Sequence, residues 1–259
     1  MGLMTPQPDV GTRVIRGEGT AEASWQSWPG LDDLPCVDAA QLVPPGSRVL
    51  VLAPHPDDEL LGCGGLIRLL AAQGRDVQLL AVTDGGASHP QSSLWPEQKL
   101  KQARARESVE AMRRLGAPDV PLWRLGLDDG QVSAQSQRID SALSLLLKPT
   151  DVLIATWRHD GHPDHEATGA AAARAAERHG ATLLEMPVWM WHWAEAGDTR
   201  VPWDRACRLP LDQATHAAKR DAAQAYRSQL EPDPSTGRDA IVPAHALERV
   251  LRDYEVYFR

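Results

Sequence analysis

From Arg48 to Trp189 the sequence alternates short apolar runs with longer amphipathic ones, and no other feature restricts the fold as much. Arg48–Ala53 reads as a buried strand. Asp58–Gln73 reads as a helix with Leu60, Leu61, Leu66, Leu69 and Leu70 on one face and Gly74 as its stop. Val77–Thr83 is a second strand. Residues 97–115 form a charged helix that turns Ala103, Val109, Met112 and Leu115 inward and ends at Gly116. A short strand over 120–125, a helix over Ser136–Leu147, a strand over Val152–Thr156, a helix over Glu166–His179 and a strand over Thr182–Trp189 complete the pattern. Such alternation predicts the α/β class: a Rossmann-like three-layer αβα arrangement with a mainly parallel sheet. The tail adds a helix near 211–228, a Pro/Asp/Gly loop and a short terminal helix or strand. One domain over 1–259 is expected, its first 30 residues an extended lead-in.

Composition narrows the function. A net charge of −8 argues against a nucleic-acid backbone as partner, which favours a basic surface. No apolar run is long enough for an integral membrane segment. The first residues lack a basic stretch followed by an apolar one, so no signal peptide is expected and the cytoplasm is the expected location. Cys36, Cys63 and Cys207 lie far apart and form no CxxC pair, which suggests neutral thiols in a reducing compartment.

Ligands of open α/β sheets bind beyond the C-terminal ends of the strands. The polar clusters of this sequence fall there. PHPDDE (54–59) follows the first strand, TDGG (83–86) the second, RHDGHPDH (158–165) the fourth and WMWHW (189–193) the fifth. His55, Asp57, Asp58 and Glu59 stand at the mouth of a core strand, where each charge is costly unless it is paired. His55 and Asp58 are three apart, as are His162 and His165, and side chains with that spacing share a helix face. Either motif alone is explained by a helix cap and a surface histidine. Together, each after a strand, they suggest an open zinc site, with three protein ligands and a position left free. His55, Asp58 and His165 are the expected ligands to one zinc ion per chain, iron(II) being the alternative ion. Asp57 is the expected general base on water activated by the metal. His162 is expected to donate to the oxyanion or leaving amine, and Asp164 to fix the tautomer of His162. No GxGxxG follows the first strand and no GxSxG elbow is present, which speaks against a dinucleotide site and a serine hydrolase.

At these residues the chain resembles the LmbE-like, or PIG-L, family of zinc-dependent de-N-acetylases. Members carry PHPDDE or AHPDDE after the first strand and HPDH about a hundred residues later. The resemblance spans about 45–230. It implies hydrolysis of the N-acetyl group of an N-acetylglucosamine-type sugar conjugate, a small molecule. It implies the same roles: His55, Asp58 and His165 on zinc, Asp57 as base, His162 as electrostatic partner or acid. RARE (104–107) is similar to the family's RxxE helix and nominates Arg104 as a substrate contact; an ion pair with Glu107 is the competing account. Lys219, Tyr226 and Gln229, in a segment similar to the family's late motif, are expected to be structural. Asp84 is a further candidate substrate contact. Trp191, with Trp189 and Trp193, is either core packing or a stacking surface for a sugar, and His89 and His192 are candidate polar contacts. A different mononuclear metal hydrolase, such as a phosphoesterase or an amidase on a non-sugar substrate, is the alternative. A homo-oligomer is compatible with the sequence.

Overall fold

The computed structural model describes residues 13–259. Among them, β1 (Val49–Ala53), β2 (Val77–Thr83), β3 (Leu122–Leu127), β4 (Val152–Thr156), β5 (Thr182–Met186), β6 (Ala206–Pro210) and β7 (Tyr254–Phe258) form one sheet. Their order is β3-β2-β1-β4-β5-β7-β6. The pairs among β1 to β5 are parallel; β7 pairs antiparallel with both β5 and β6. The expected α/β class with a mainly parallel sheet is what forms.

β1 and β4 are neighbours at the middle of the sheet, and every residue of both is buried. A parallel strand covered on both faces needs apolar side chains on both, which VLVLA and VLIAT supply. Successive side chains alternate between faces. Val49, Val51 and Ile154 join one apolar cluster with Leu60, Leu66 and Met112; Leu50, Leu52 and Leu153 join another with Ile139, Leu143 and Ala172. The helices Asp58–Ala72 and Glu97–Leu115 supply the first cluster, Ser136–Leu146 and Pro163–His179 the second. The three layers follow. Gly169 lets the last of these helices lie against the end of β4, since a Cβ there would sit 2.4 Å from the carbonyl oxygen of Thr156.

The chain builds one half of the sheet after β1 and the other after β4. The switch between the two directions lies between these strands, where open α/β sheets leave a crevice. PHPDDE leaves β1 and HPDH follows β4, so the fold brings both motifs to one place.

Several elements differ from the sequence reading. The lead-in is not extended at its end: Glu22–Gln26 is helical, and Trp25 is fully buried with its Nε1 donating to the Trp191 carbonyl (3.0 Å). Residues 1–12 lie outside the described residues. The fifth strand stops at Met186 instead of reaching Trp189. The N–H groups of Val188, Trp189 and Met190 donate to the Asp160 carboxylate (3.0, 2.9 and 2.9 Å), and Met190–Trp193 is a helical turn. In the charged helix the inward face is Leu100, Arg104, Ser108, Ala111, Met112 and Leu115, while Val109 is exposed. β6 was not anticipated; its short ACRLP run pairs along β7. No helix among the described residues is long and apolar enough to cross a membrane.

Asp58–Ala72 is kinked at Cys63, whose φ of −144° breaks the helical path. Glu255 on β7 takes over the freed donors, accepting from Gly65 N (2.6 Å) and Leu66 N (3.0 Å). It also accepts from Lys219 Nζ (2.6 Å) and Tyr257 Oη (2.7 Å), and Lys219 Nζ donates again to the Leu61 carbonyl (3.0 Å). Lys219 is fully buried. Its structural role agrees with the sequence reading. Replacing one partner of such a pair leaves a charge buried alone, which costs about 3–5 kcal/mol. Lys219→Met is therefore expected to lower unfolding free energy in urea by about that much. A loss below about 1 kcal/mol would show that the pair does not hold the kink.

Candidate metal centre

Directly after β1 the backbone turns sharply. Asp57 has φ 143° and ψ −30°, a region that costs a residue with a side chain about 1–3 kcal/mol. The surroundings hold it there. Asp57 N donates to Glu59 Oε2 (3.1 Å), and Tyr226 Oη donates to Glu59 Oε1 (2.9 Å). Arg104 Nη2 donates to Pro56 O (2.9 Å) and Asp57 Oδ2 (3.1 Å).

The turn brings His55 Nδ1 to 3.3 Å from Asp58 Oδ2 and 3.3 Å from His165 Nε2. His165 Nε2 lies 3.2 Å from Asp58 Oδ2. Ligand atoms about 2.0–2.1 Å from a tetrahedral ion stand about 3.3 Å from one another. The three atoms thus have the mutual spacing of three corners of a metal tetrahedron. The outer nitrogens carry the remaining logic. His55 Nε2 faces Asp129 Oδ1 (3.1 Å) and Asp164 Oδ2 (3.2 Å), and His165 Nδ1 faces Asp160 Oδ2 (2.8 Å). Carboxylates there fix the N–H on the outer nitrogen and leave the inner lone pairs directed at one point. A third imidazole is near: His162 has its ring centre 4.8 Å from that of His55 and 4.9 Å from that of His165. Nitrogens of all three histidines can approach one ion.

Electrostatics ask for a cation at this point. Burial works against a charged His55, but Asp129, Asp164 and Asp58 outweigh it and raise its pKa well above the usual range. His165 is pushed up to about 9: burial opposes, and Asp58 and Asp160 prevail. Asp58 is held well below the carboxylate range, with burial opposed by His165 and His55. A metal ion bound there would meet the same demand. Asp57 behaves differently. Burial raises it to about 7, helped by Asp58 and Glu59 and resisted by Arg104. His162 is lowered to about 3, by burial first and then by His165 and His55. It caps the helix Pro163–His179, its Nδ1 accepting from Asp164 N (3.2 Å).

The other nominated residues divide. Asp164 does not fix His162 through its carboxylate, as expected, but His55; that carboxylate also accepts from Gly130 N (2.7 Å) and Val132 N (3.2 Å). Arg104 lines the cavity, yet its Nη atoms are engaged with Pro56 O, Asp57 and Gly85 O (3.1 Å). The ion pair with Glu107 does not form, because Glu107 accepts from Ser228. Asp84 does not join the site: it pairs with Arg124 (2.7 Å), which draws it away. Trp191 lines the cavity but is 4% exposed, packed edge-on to Trp25 at 5.0 Å with Arg252 over its ring at 4.2 Å. Gln229 lines the cavity as well. Asp129 and Asp160 were missed. Asp160 lies in the quoted RHDGHPDH, and Asp129 follows β3, where the strand-end rule would have nominated it.

A cavity of about 300 Å³ opens on the cluster. His55, Asp57, Asp58, Asp129 and His162 form one part of its wall; Val188, Trp189, Val242, Ala246 and Val250 form another.

Residues 50–176 match the model of the family described as "PIG-L: GlcNAc-PI de-N-acetylase". A Bacillus cereus protein named a probable N-acetyl-alpha-D-glucosaminyl L-malate deacetylase 2 is 31% identical over 138 residues, 51% of this chain and 61% of the relative. The chain thus covers less than two thirds of that relative's length. A Corynebacterium efficiens protein named a 1D-myo-inositol 2-acetamido-2-deoxy-alpha-D-glucopyranoside deacetylase is 28% identical over 240 residues, 71% of this chain and 73% of the relative. In fold, the chain is similar to the conserved protein TT1542 from Thermus thermophilus, with a TM-score of 0.58, 23% identity, and 82% and 94% of the two chains covered. The paired motifs, the sheet that joins them and these matches agree: the chain belongs, through its residues 50–176, to the PIG-L, or LmbE-like, de-N-acetylase family.

Proposed function

We propose that the chain is a zinc-dependent hydrolase that removes the acetyl group from an N-acetylglucosamine-type sugar conjugate. The observation that carries this reading is the near-equal 3.2–3.3 Å spacing of His55 Nδ1, Asp58 Oδ2 and His165 Nε2. Two imidazoles and one carboxylate are a donor set that suits zinc and leaves a position free. When bound, the ion would act as a Lewis acid towards an amide carbonyl and towards water.

Asp57 lies on the cavity wall beside that set, turned by the strained backbone and tethered by Arg104. With a pKa near neutrality it takes a proton from the attacking water and returns it to the amine as the C–N bond breaks. The products are acetate and the free amino sugar. His162 accepts from the Asp164 N–H at Nδ1, so its proton sits on Nε2. A neutral imidazole held in that tautomer donates a hydrogen bond to the oxyanion without losing a proton. Asp129 and Asp164 orient His55, and Asp160 orients His165.

Two substitutions separate these roles. Asp57→Asn is expected to keep about one zinc per chain by elemental analysis and to lower acetate release about 10²–10⁴-fold. Turnover equal to that of the parent would remove Asp57 as the base. Asp160→Asn leaves the three donors in place but changes the partner of His165 Nδ1. It is expected to weaken zinc binding about 10–100-fold in a chelator competition; unchanged affinity would mean that Asp160 serves only the 188–190 backbone.

A further inference from the structure

The cavity has a second charged group in its wall that the proposed chemistry does not use. Arg249, in the helix Ala244–Val250, lines the cavity and is 3% exposed. Its Nη1 donates to His192 Nδ1 (3.0 Å) and its Nη2 to the backbone oxygen of Glu18; its Nε has no partner. His192 Nε2 donates to the Arg16 carbonyl (3.1 Å), so this imidazole is neutral, with Nδ1 as acceptor. Neither partner of Arg249 carries negative charge.

Other buried cations are treated differently. Lys219 has Glu255 at 2.6 Å, Arg252 has Glu22 at 2.6 Å and Arg104 has Asp57 at 3.1 Å. Arg249 forms no ion pair among the described residues. Burial works against its charge; Glu22, which pairs with Arg252, and Glu248 favour the charge from a distance, and Arg252 opposes it. A guanidinium kept out of water without a direct ion pair is costly, and one in the wall of a ligand cavity is suited to recognise an anion. Its neighbours in that wall, Val188, Trp189, Val242, Ala246 and Val250, offer no competing charge. A single cation beside a neutral imidazole matches a monoanion; a phosphomonoester of charge near −2 would be left half compensated.

We infer that Arg249 is a specificity-determining contact for a carboxylate carried by the group attached to the amino sugar. The inference rests on the deacetylase reading above. A residue that only clamped the 16–18 backbone would stabilise the fold without regard to the charge of a ligand.

The test uses the N-acetylglucosaminide of hydroxyacetate and the same compound with its carboxylate converted to a carboxamide. In the full chain loaded with zinc, KM for acetate release is expected to be about tenfold lower for the carboxylate, with kcat within about twofold. Arg249→Gln is expected to bring the two KM values together, and Arg249→Lys to retain part of the difference. Equal KM values in the parent protein, or a preference that survives Arg249→Gln, would overturn the inference. The parent comparison stands even where a variant fails to fold. Calorimetry with the free-amine forms of both compounds separates the two readings. About tenfold tighter binding of the carboxylate form without acetate release from either substrate would overturn deacetylation and keep the role of Arg249. Equal binding, or none, would overturn that role.

Discussion

The adjacency of β1 and β4 is the constraint on which the rest depends. In an open α/β sheet the chain leaves one central strand to build one half and returns through its neighbour to build the other. The C-terminal ends of those two strands therefore share a crevice. His55 and His165, 110 residues apart in sequence, reach 3.3 Å there. Neither motif could form the cluster alone, and a sheet with β1 and β4 apart would leave each as a charged loop. Apolar side chains on both faces of these strands thus decide where the polar chemistry occurs.

The cluster is dominated by acid groups, and the fold distributes them by direction. Asp129, Asp160 and Asp164 address the outer nitrogens of the histidines, while Asp58 faces the inner ones. Backbone N–H groups compensate what the imidazoles do not: Ala87 for Asp129, Gly130 and Val132 for Asp164, and residues 188–190 for Asp160. Arg104 keeps Asp57 from being one more uncompensated charge. The same hydrogen bonds that satisfy Asp160 accompany the early end of β5 and the turn that puts Trp191 and His192 in the cavity wall, so the orientation of His165 and the shape of the wall share one carboxylate.

Much of this was legible in the sequence because it obeys local rules. Parallel central strands are apolar throughout, helices carry periodic leucines and stop at Gly74 and Gly116, and the polar loops follow strand ends. PHPDDE and HPDH were legible for the same reason. What escaped was set by tertiary partners. Asp164 shares a motif with His162, yet its carboxylate points to His55, a direction that sequence spacing does not contain. Asp84 follows a strand like Asp129, but Arg124 on β3 captures it. Trp191 reads as a strand residue until Asp160 is known to take the neighbouring N–H groups. Arg249 had no signal: that its guanidinium forms no direct ion pair among the described residues is a matter of packing, which the sequence does not contain.

X-ray absorption at the zinc edge, on the protein loaded with one equivalent of zinc, addresses the arrangement of donors most directly. The expected spectrum has nitrogen and oxygen neighbours at about 2.0–2.1 Å, with outer-shell scattering from two imidazole rings. A sulfur neighbour at about 2.3 Å, a shell of oxygens without imidazole, or failure to take up zinc would contradict a centre built from His55, Asp58 and His165.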